Sequence, residues 1–397
     1  MLSFSDWDAP WSAPQRIASR LVPQNRVLYV NQPHSFLYPL VAHRRPYEGA
    51  LRGNTLKEIS QNLWVYQLPF CFLPYGGLPF SLARVLYGLN SRWMAYHIRR
   101  VLDALHFEDV IVWNTSPLHA GAVAYLPHAF HLHDIADEWV NYIRNRGGRR
   151  LIEWIEDRLY AEVSLIFVGS DAMAEKRLGR HPHIHVVHYG VDYDAYARAP
   201  EEVSEPTDLR GISQPRIGFV GVMDAERFDV EAVERLAQER PEYSVVLVGP
   251  AKPGVDIDRL TRCENLFWLG PKPPQAVPQY TAYLDALLIP YRLNEATRYI
   301  YPLKLQEYLA TGKPVISTPL PAVRPYADVV YIVEDVALFA DTVDRALRED
   351  NPERAKARRE VARANTWEAK VRQKEALIVK YEMEGRPNNK KSGKGSA

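Results

Sequence analysis

Short runs dense in Val, Ile, Leu, Tyr and Phe recur along the chain, separated by longer stretches in which apolar residues return every three or four positions. The runs have the length of buried strands and the longer stretches the period of helices with one apolar face. Their alternation predicts an α/β fold of βα units around parallel sheets. In the first half strands are expected at 26–31, 63–68, 110–114, 130–133, 165–168 and 186–189. In the second half they are expected at 216–220, 244–248, 266–269, 286–289, 314–317 and 330–333. Between the two sets, residues 199–214 are rich in Pro, Glu, Ser and Thr and show no apolar period, which reads as a linker. The expected organisation is an N-terminal domain over 1–198, a C-terminal domain over 215–365, and a helix over 366–384 that packs back on the first domain. The tail over 385–397 carries Pro387, Asn388, Asn389 and three lysines and reads as disordered and solvated, with contact to anionic lipid as the alternative.

A length of 397 residues fits two packed domains. With 49 basic and 48 acidic residues the formal charge is +1, so a dedicated nucleic-acid binder is excluded and any anion site must come from local placement. Two cysteines far apart, Cys71 and Cys263, support neither a disulfide framework nor a thiolate zinc site, and a reducing, cytoplasmic setting fits. Residues 1–15 contain Asp6, Trp7 and Asp8 in place of a basic segment and an apolar run, so no signal peptide is expected. No apolar stretch approaches the roughly 20 residues a spanning helix needs.

The segment Tyr301-Pro302-Leu303-Lys304-Leu305-Gln306-Glu307-Tyr308-Leu309-Ala310-Thr311-Gly312-Lys313-Pro314 reads as a helix with Pro302 in its first turn and Gly312 at its left-handed end, followed by a buried strand. Lys304, Glu307, Tyr308 and Thr311 fall on one stripe, and Leu305 and Leu309 on another. A helix start with a lysine in its first turn suits a diphosphate. Glu307, one turn deeper, suits ribose hydroxyls. The bland alternative is a surface helix in which Lys304 and Glu307 pair. Placement after the strand ending at Ile289 favours the ligand reading, because ligands of open α/β sheets bind beyond the carboxyl ends of strands.

This segment resembles the donor-site helix of GT-B glycosyltransferases, in particular the family 4-like (group 1) retaining enzymes of bacterial polysaccharide biosynthesis. Further matches follow in order: Asp171-Ala172-Met173, Tyr189-Gly190-Val191-Asp192, Ile217-Gly218-Phe219-Val220-Gly221 and Arg227-Phe228-Asp229. The resemblance implies two Rossmann-like domains with parallel sheets facing across a cleft. The C-terminal domain would hold a nucleotide-sugar donor and the N-terminal domain a glycan or lipid-linked acceptor. It implies that Glu307 contacts the ribose and that Arg227 and Lys304 neutralise the departing diphosphate. Gly221 and the backbone of Tyr301 to Leu303 would approach the donor closely. It implies retention without a metal or other cofactor, the nucleotide-sugar being a substrate. Many relatives carry a second glutamate eight residues before the ribose-binding one; here that position is Tyr299.

His133 and Asp134 end a first-domain strand. In the resembled family a histidine at the matching place reaches the transferred sugar, so His133 is the first-domain catalytic candidate, with Asp134 beside it. Gly218 and Gly221 alone also fit simple strand packing. His181, His183 and His185 alternate along an extended segment ahead of His188 and invite a zinc reading that no flanking carboxylates support; no metal site is expected. Trp7, Asp8 and Trp11, with the aromatic residues between 70 and 75, are the expected acceptor-side features, core burial being the alternative for any single aromatic. Residues 78–101 combine apolar side chains with Arg84, Arg92, Arg99 and Arg100 and suggest peripheral contact with the inner face of a membrane. Two other functions share the donor helix: a sugar-nucleotide epimerase or hydrolase of the same fold, and a non-catalytic nucleotide-sugar or glycan binder.

Overall fold

The computed structural model describes residues 1–34, 54–69, 78–143, 145–198 and 200–385. The aromatic stretch over 70–75 and the tail beyond 385 lie outside them. The chain packs as two compact units. One comprises residues 1–169, 173–187 and the chain from Val371 onward; the other comprises 170–172 and 188–370.

The strands of the first unit are β1 (Val27–Val30), β2 (Thr55–Ser60), β3 (Leu63–Gln67), β4 (Ile111–Asn114), β5 (Phe130–Ile135), β6 (Leu165–Val168) and β7 (Ile184–Val186). β1, β3 and β2 form one sheet and β4 to β7 a second, consecutive and parallel. The two are stitched by the N-terminal residues: Leu2 bridges both Val30 and Asn114, and its N–H donates to the Trp113 carbonyl at 2.8 Å. Two expectations change here. β2, antiparallel to β3, was not foreseen, because its side chains are almost all exposed and carry no burial pattern. The last strand is Ile184–Val186, ahead of the expected 186–189, and beyond it the Val187 N–H still donates to the Val168 carbonyl of β6 at 3.0 Å.

The second unit contains β8 (Arg216–Val220), β9 (Ser244–Val248), β10 (Leu266–Trp268), β11 (Ala286–Ile289), β12 (Val315–Ser317) and β13 (Tyr331–Ile332). They form one parallel sheet in the order β10-β9-β8-β11-β12-β13. Every residue of β8, β9, β11 and β12 is buried, the continuous apolar reading of strands covered on both faces. Residues 199–214, expected as a linker, belong to this unit, and Leu209 and Ile212 join its core. The helix Trp367–Gly385 passes into the first unit at Val371, where Lys374 pairs with Asp134 and Tyr381 meets His185.

Candidate functional site: the carboxyl ends of β8 and β11

β8 and β11 are neighbours, and the loops that follow them are laced together. Phe228 bridges Tyr291, Asp229 N–H donates to the Pro290 carbonyl at 2.8 Å, and Arg292 N–H donates to the Arg227 carbonyl at 2.8 Å. The Asn294 amide closes the lacing on the Glu226 carbonyl at 2.6 Å. Apolar strand ends place these loops, and backbone bonds fix them.

The helix Leu303–Thr311 starts beside this platform. Pro302 is its N-cap, one position earlier than expected, and Gly312 ends it at φ 76°, as its sequence predicts. The N–H groups of Leu303 and Lys304 have no partner inside the helix, while that of Leu305 donates to the Pro302 carbonyl at 3.0 Å. Lys304 extends its ammonium to the Tyr291 hydroxyl at 2.5 Å, with the Phe219 and Tyr291 ring centroids 4.8 and 4.9 Å away. Gly221 follows β8 at φ 151°, and a Cβ there would stand 3.1 Å from Lys304 Nζ. Gly221 and Lys304 therefore meet. Gly218 plays the packing role, since a Cβ there would lie 2.3 Å from a Leu284 methyl.

The polar stripe does not survive intact. Tyr308 and Thr311 are buried, and the Tyr308 hydroxyl donates to the Val220 carbonyl at 3.1 Å while accepting the Val220 N–H at 2.9 Å. Tyr308 thus fastens the helix to the end of β8, leaving Lys304 and Glu307 as its half-buried polar side chains. Tyr301 is also interior: its hydroxyl meets that of Tyr326 at 2.8 Å, Gln306 donates to it at 2.7 Å, and His188 stacks on its ring at 4.6 Å. Its backbone and that of Leu303 are what remain for a ligand.

Arg227 lies in the loop after Gly221 and grips Asp224, its Nε donating at 2.7 Å. Burial works against the Asp224 carboxylate, yet the Arg227 guanidinium holds it below the usual carboxylate range. Sequence reasoning missed Asp224 and Tyr291. Both are ordinary residues of strand-end loops, and only the folded contacts reveal that one orients Arg227 and the other Lys304. The backbone at Tyr299 is anchored by Ser170, whose hydroxyl donates to the Tyr299 carbonyl at 2.6 Å.

In the first unit, His133 and Asp134 sit on β5 and point to opposite faces. His133 Nδ1 lies 3.0 Å from the Asn114 carbonyl oxygen, which only accepts, so Nδ1 carries the proton; burial lowers the imidazole to about 4 and keeps it neutral. Asp134 accepts from Trp113 Nε1 at 3.0 Å and from Lys374 Nζ at 2.5 Å. It is the counter-ion of a buried lysine. Trp7, expected to offer its face to a sugar, is a core residue packed edge-on against Tyr29 at 5.1 Å, while Asp8 and Trp11 are exposed. The histidines are held by local contacts: His181 meets the Val163 carbonyl, His183 and His185 meet Tyr381, and His188 meets Asp171. Among the described residues no group of three or more His, Cys, Asp or Glu is arranged to hold a metal ion.

A two-unit α/β chain with a helix start, a lysine and a close-approach glycine at adjacent strand ends has the architecture of GT-B glycosyltransferases. Residues 214–349 match the family described as Glycosyl transferases group 1. The chain is similar to the putative teichuronic acid biosynthesis glycosyltransferase TuaH of Bacillus subtilis (strain 168), 29% identical over 269 residues. That match covers 63% of this chain and just under two thirds, 66%, of the relative. The fold is shared with sucrose-phosphate synthase from Thermosynechococcus elongatus, with a TM-score of 0.67 and 14% identity over 97% of this chain and 98% of that one. It is equally shared with Anabaena Alr3699/HepE in complex with UDP and glucose, with a TM-score of 0.67 and 16% identity over 96% and 98% of the two chains.

Proposed function

We propose that this protein is a glycosyltransferase that moves a sugar from a nucleotide-sugar donor to a glycan or lipid-linked acceptor, with retention and without a metal. The observation that carries the reading is the convergence of Gly221, Lys304 and the Leu303–Thr311 helix start beside the Arg227 loop. Backbone N–H groups, one ammonium and one guanidinium are the donors a departing diphosphate requires, and each such preorganised donor contributes about 3 kcal/mol to the transition state. Glu307, one turn further, accepts from the ribose. The bond from the anomeric carbon to the phosphate oxygen breaks, that oxygen takes the acceptor hydroxyl's proton, and the acceptor oxygen bonds to the same face of the sugar. No protein nucleophile is used. His133, neutral with its Nε2 unprotonated, accepts a hydrogen bond from the transferred sugar.

The helix Phe80–Ala104 supports contact with the inner face of a membrane, where a lipid-linked acceptor would lie. It exposes Leu82, Val85, Leu89 and Tyr96 together with Arg84, Arg92, Arg99 and Arg100, a mixture that suits an anionic interface. Among the described residues no helix is long and apolar enough to cross a membrane. A panel of nucleotide sugars, incubated with glycan and lipid-linked acceptors and followed by mass spectrometry with NMR of the product, tests the whole reading. Transfer with the donor's anomeric configuration is the expected outcome. Turnover without an acceptor marks an epimerase or hydrolase, and binding without turnover marks a non-catalytic binder.

A further inference from the structure

At the amino end of the second unit's sheet, remote in the strand direction from the donor helix start, the turn before β13 and two C-terminal helices line a half-open cavity of about 240 Å3. Such a volume lies below the usual range for drug-sized ligands and suits a small group. Its lining includes Arg345 from the helix Phe339–Glu349, and Arg354 and Arg358 from the helix Pro352–Ala364, against a single carboxylate, Asp328. The guanidiniums gather around Tyr331: Arg345 and Arg354 stand 5.5 and 5.6 Å from its ring centroid, and Arg354 donates to its hydroxyl at 3.1 Å.

The charges are unevenly matched. Arg354 reaches Glu349 at 3.4 Å, and Arg358 reaches Asp350 at 2.7 Å. Arg345 makes no ion pair among the described residues, its recorded contact being the Tyr331 ring. Arg358 is 1% exposed, and its Nε is a buried donor with no hydrogen-bond partner among the described residues. Burying a guanidinium donor unsatisfied is unfavourable, and negative charge in the adjoining cavity offsets that cost through space, without contact to the buried Nε. Arg358 also donates to the Gly312 carbonyl at 2.8 Å, and its neighbour Arg359 to the Thr311 carbonyl at 3.0 Å, so the cluster caps the far end of the Leu303–Thr311 helix.

We infer that this cavity is a second anion site, separate from the strand-end site of the proposed function, that binds a phosphate group, free or as a small phosphate monoester, through Arg345, Arg354 and Arg358. Occupancy neutralises Arg345, places negative charge beside the buried Arg358 guanidinium and stiffens the cap of the helix that carries Lys304.

Isothermal titration with inorganic phosphate and with glycerol 3-phosphate, at constant ionic strength set with chloride, tests this in the full chain. Saturable one-site binding is expected. Tighter binding of glycerol 3-phosphate assigns the natural ligand to the monoesters, and equal or weaker binding assigns it to free phosphate. Arg345→Gln weakens binding about tenfold, the loss of one charge-assisted contact. Asp328→Asn, an exposed change that removes the opposing carboxylate without threatening the fold, tightens it about two- to fivefold. Lys304→Ala leaves the affinity unchanged. Binding lost in Lys304→Ala but kept in Arg345→Gln would place the anion at the strand-end site and overturn the inference. So would the absence of saturable binding, or an affinity that none of these substitutions moves.

Discussion

Gly221 and Lys304 are mutually dependent: the glycine's missing side chain leaves the space that the lysine occupies, 3.1 Å from where a Cβ would stand. Gly221→Ala meets two penalties, a φ of 151° that L side chains rarely adopt and displacement of the Lys304 ammonium. The strain alone costs about 1–3 kcal/mol. We expect a lower unfolding free energy and a donor affinity reduced in proportion to the lost Lys304 geometry. Gly211→Ala, where nothing lies within 4 Å of the added carbon, is the control and should change stability by less than about 0.5 kcal/mol. Equal behaviour of the two variants in urea unfolding and donor titration would remove the argument.

Lys304 and Tyr291 separate charge from orientation. Lys304→Met keeps most of the side-chain volume and deletes the cation, so kcat should fall about 100- to 1000-fold, as for loss of a preorganised transition-state donor. Tyr291→Phe keeps the ring beside the ammonium and deletes only the hydroxyl that Lys304 holds at 2.5 Å. Its expected effect is about fivefold, one ordinary hydrogen bond. Steady-state kinetics that gave Tyr291→Phe the larger loss would show that Lys304 acts through the tyrosine and not on the diphosphate.

Glu307 is assigned to the ribose, which gives a test that a structural glutamate would not pass. Donor analogues lacking a ribose hydroxyl should bind the wild-type chain about tenfold more weakly than the natural donor, through the carboxylate's lost charged hydrogen bond. In Glu307→Ala the two donors should bind alike. The comparison is made by competition titration. Persistent discrimination by the variant would move the ribose contact elsewhere.

The strands of both units were legible because buried parallel strands are apolar throughout, and the donor helix because Pro302 and Gly312 bracket it. What stayed hidden has physical causes. β2 is an edge strand whose residues are almost all exposed, so it carries no burial pattern. Residues 199–214 look like a linker because Leu209 and Ile212 are isolated apolar residues in a polar stretch, yet each reaches the core. Trp7 could not be assigned to a surface or a core from composition, and core packing claimed it. Tyr308 shared a helical stripe with Lys304 but turned inward, because the end of β8 offers it both a carbonyl and an N–H. Side-chain direction within a helix face depends on what packs there, and spacing alone does not report it.

The first unit should be acid-labile through its buried imidazoles. Burial lowers His119 and His131 to about 3 and His133 to about 4, from 6.5. As pH falls through 6.5 the unfolded chain takes up a proton on each histidine while the folded unit does not. The unfolded state then binds more protons, so stability declines from pH 6.5 toward 4 and is fully present above 6.5. Each histidine contributes on the order of 3 kcal/mol across that window, and the three together give a slope of up to about 4 kcal/mol per pH unit. Glu156, whose carboxyl burial pushes up, opposes this in part, because its folded form retains a proton that the unfolded chain releases. His131→Leu removes one titrating group and a ring whose Nε2 has no partner among the described residues, so near pH 7 the variant should lie within about 1 kcal/mol of wild type. Below pH 6 the slope should shrink by one histidine's share, up to about 1.4 kcal/mol per pH unit. Urea unfolding at pH 7, 6 and 5, a range in which ordinary carboxylates titrate little, reads both quantities. An unchanged slope in His131→Leu would show that this imidazole is protonated in the folded unit and is not held neutral by burial.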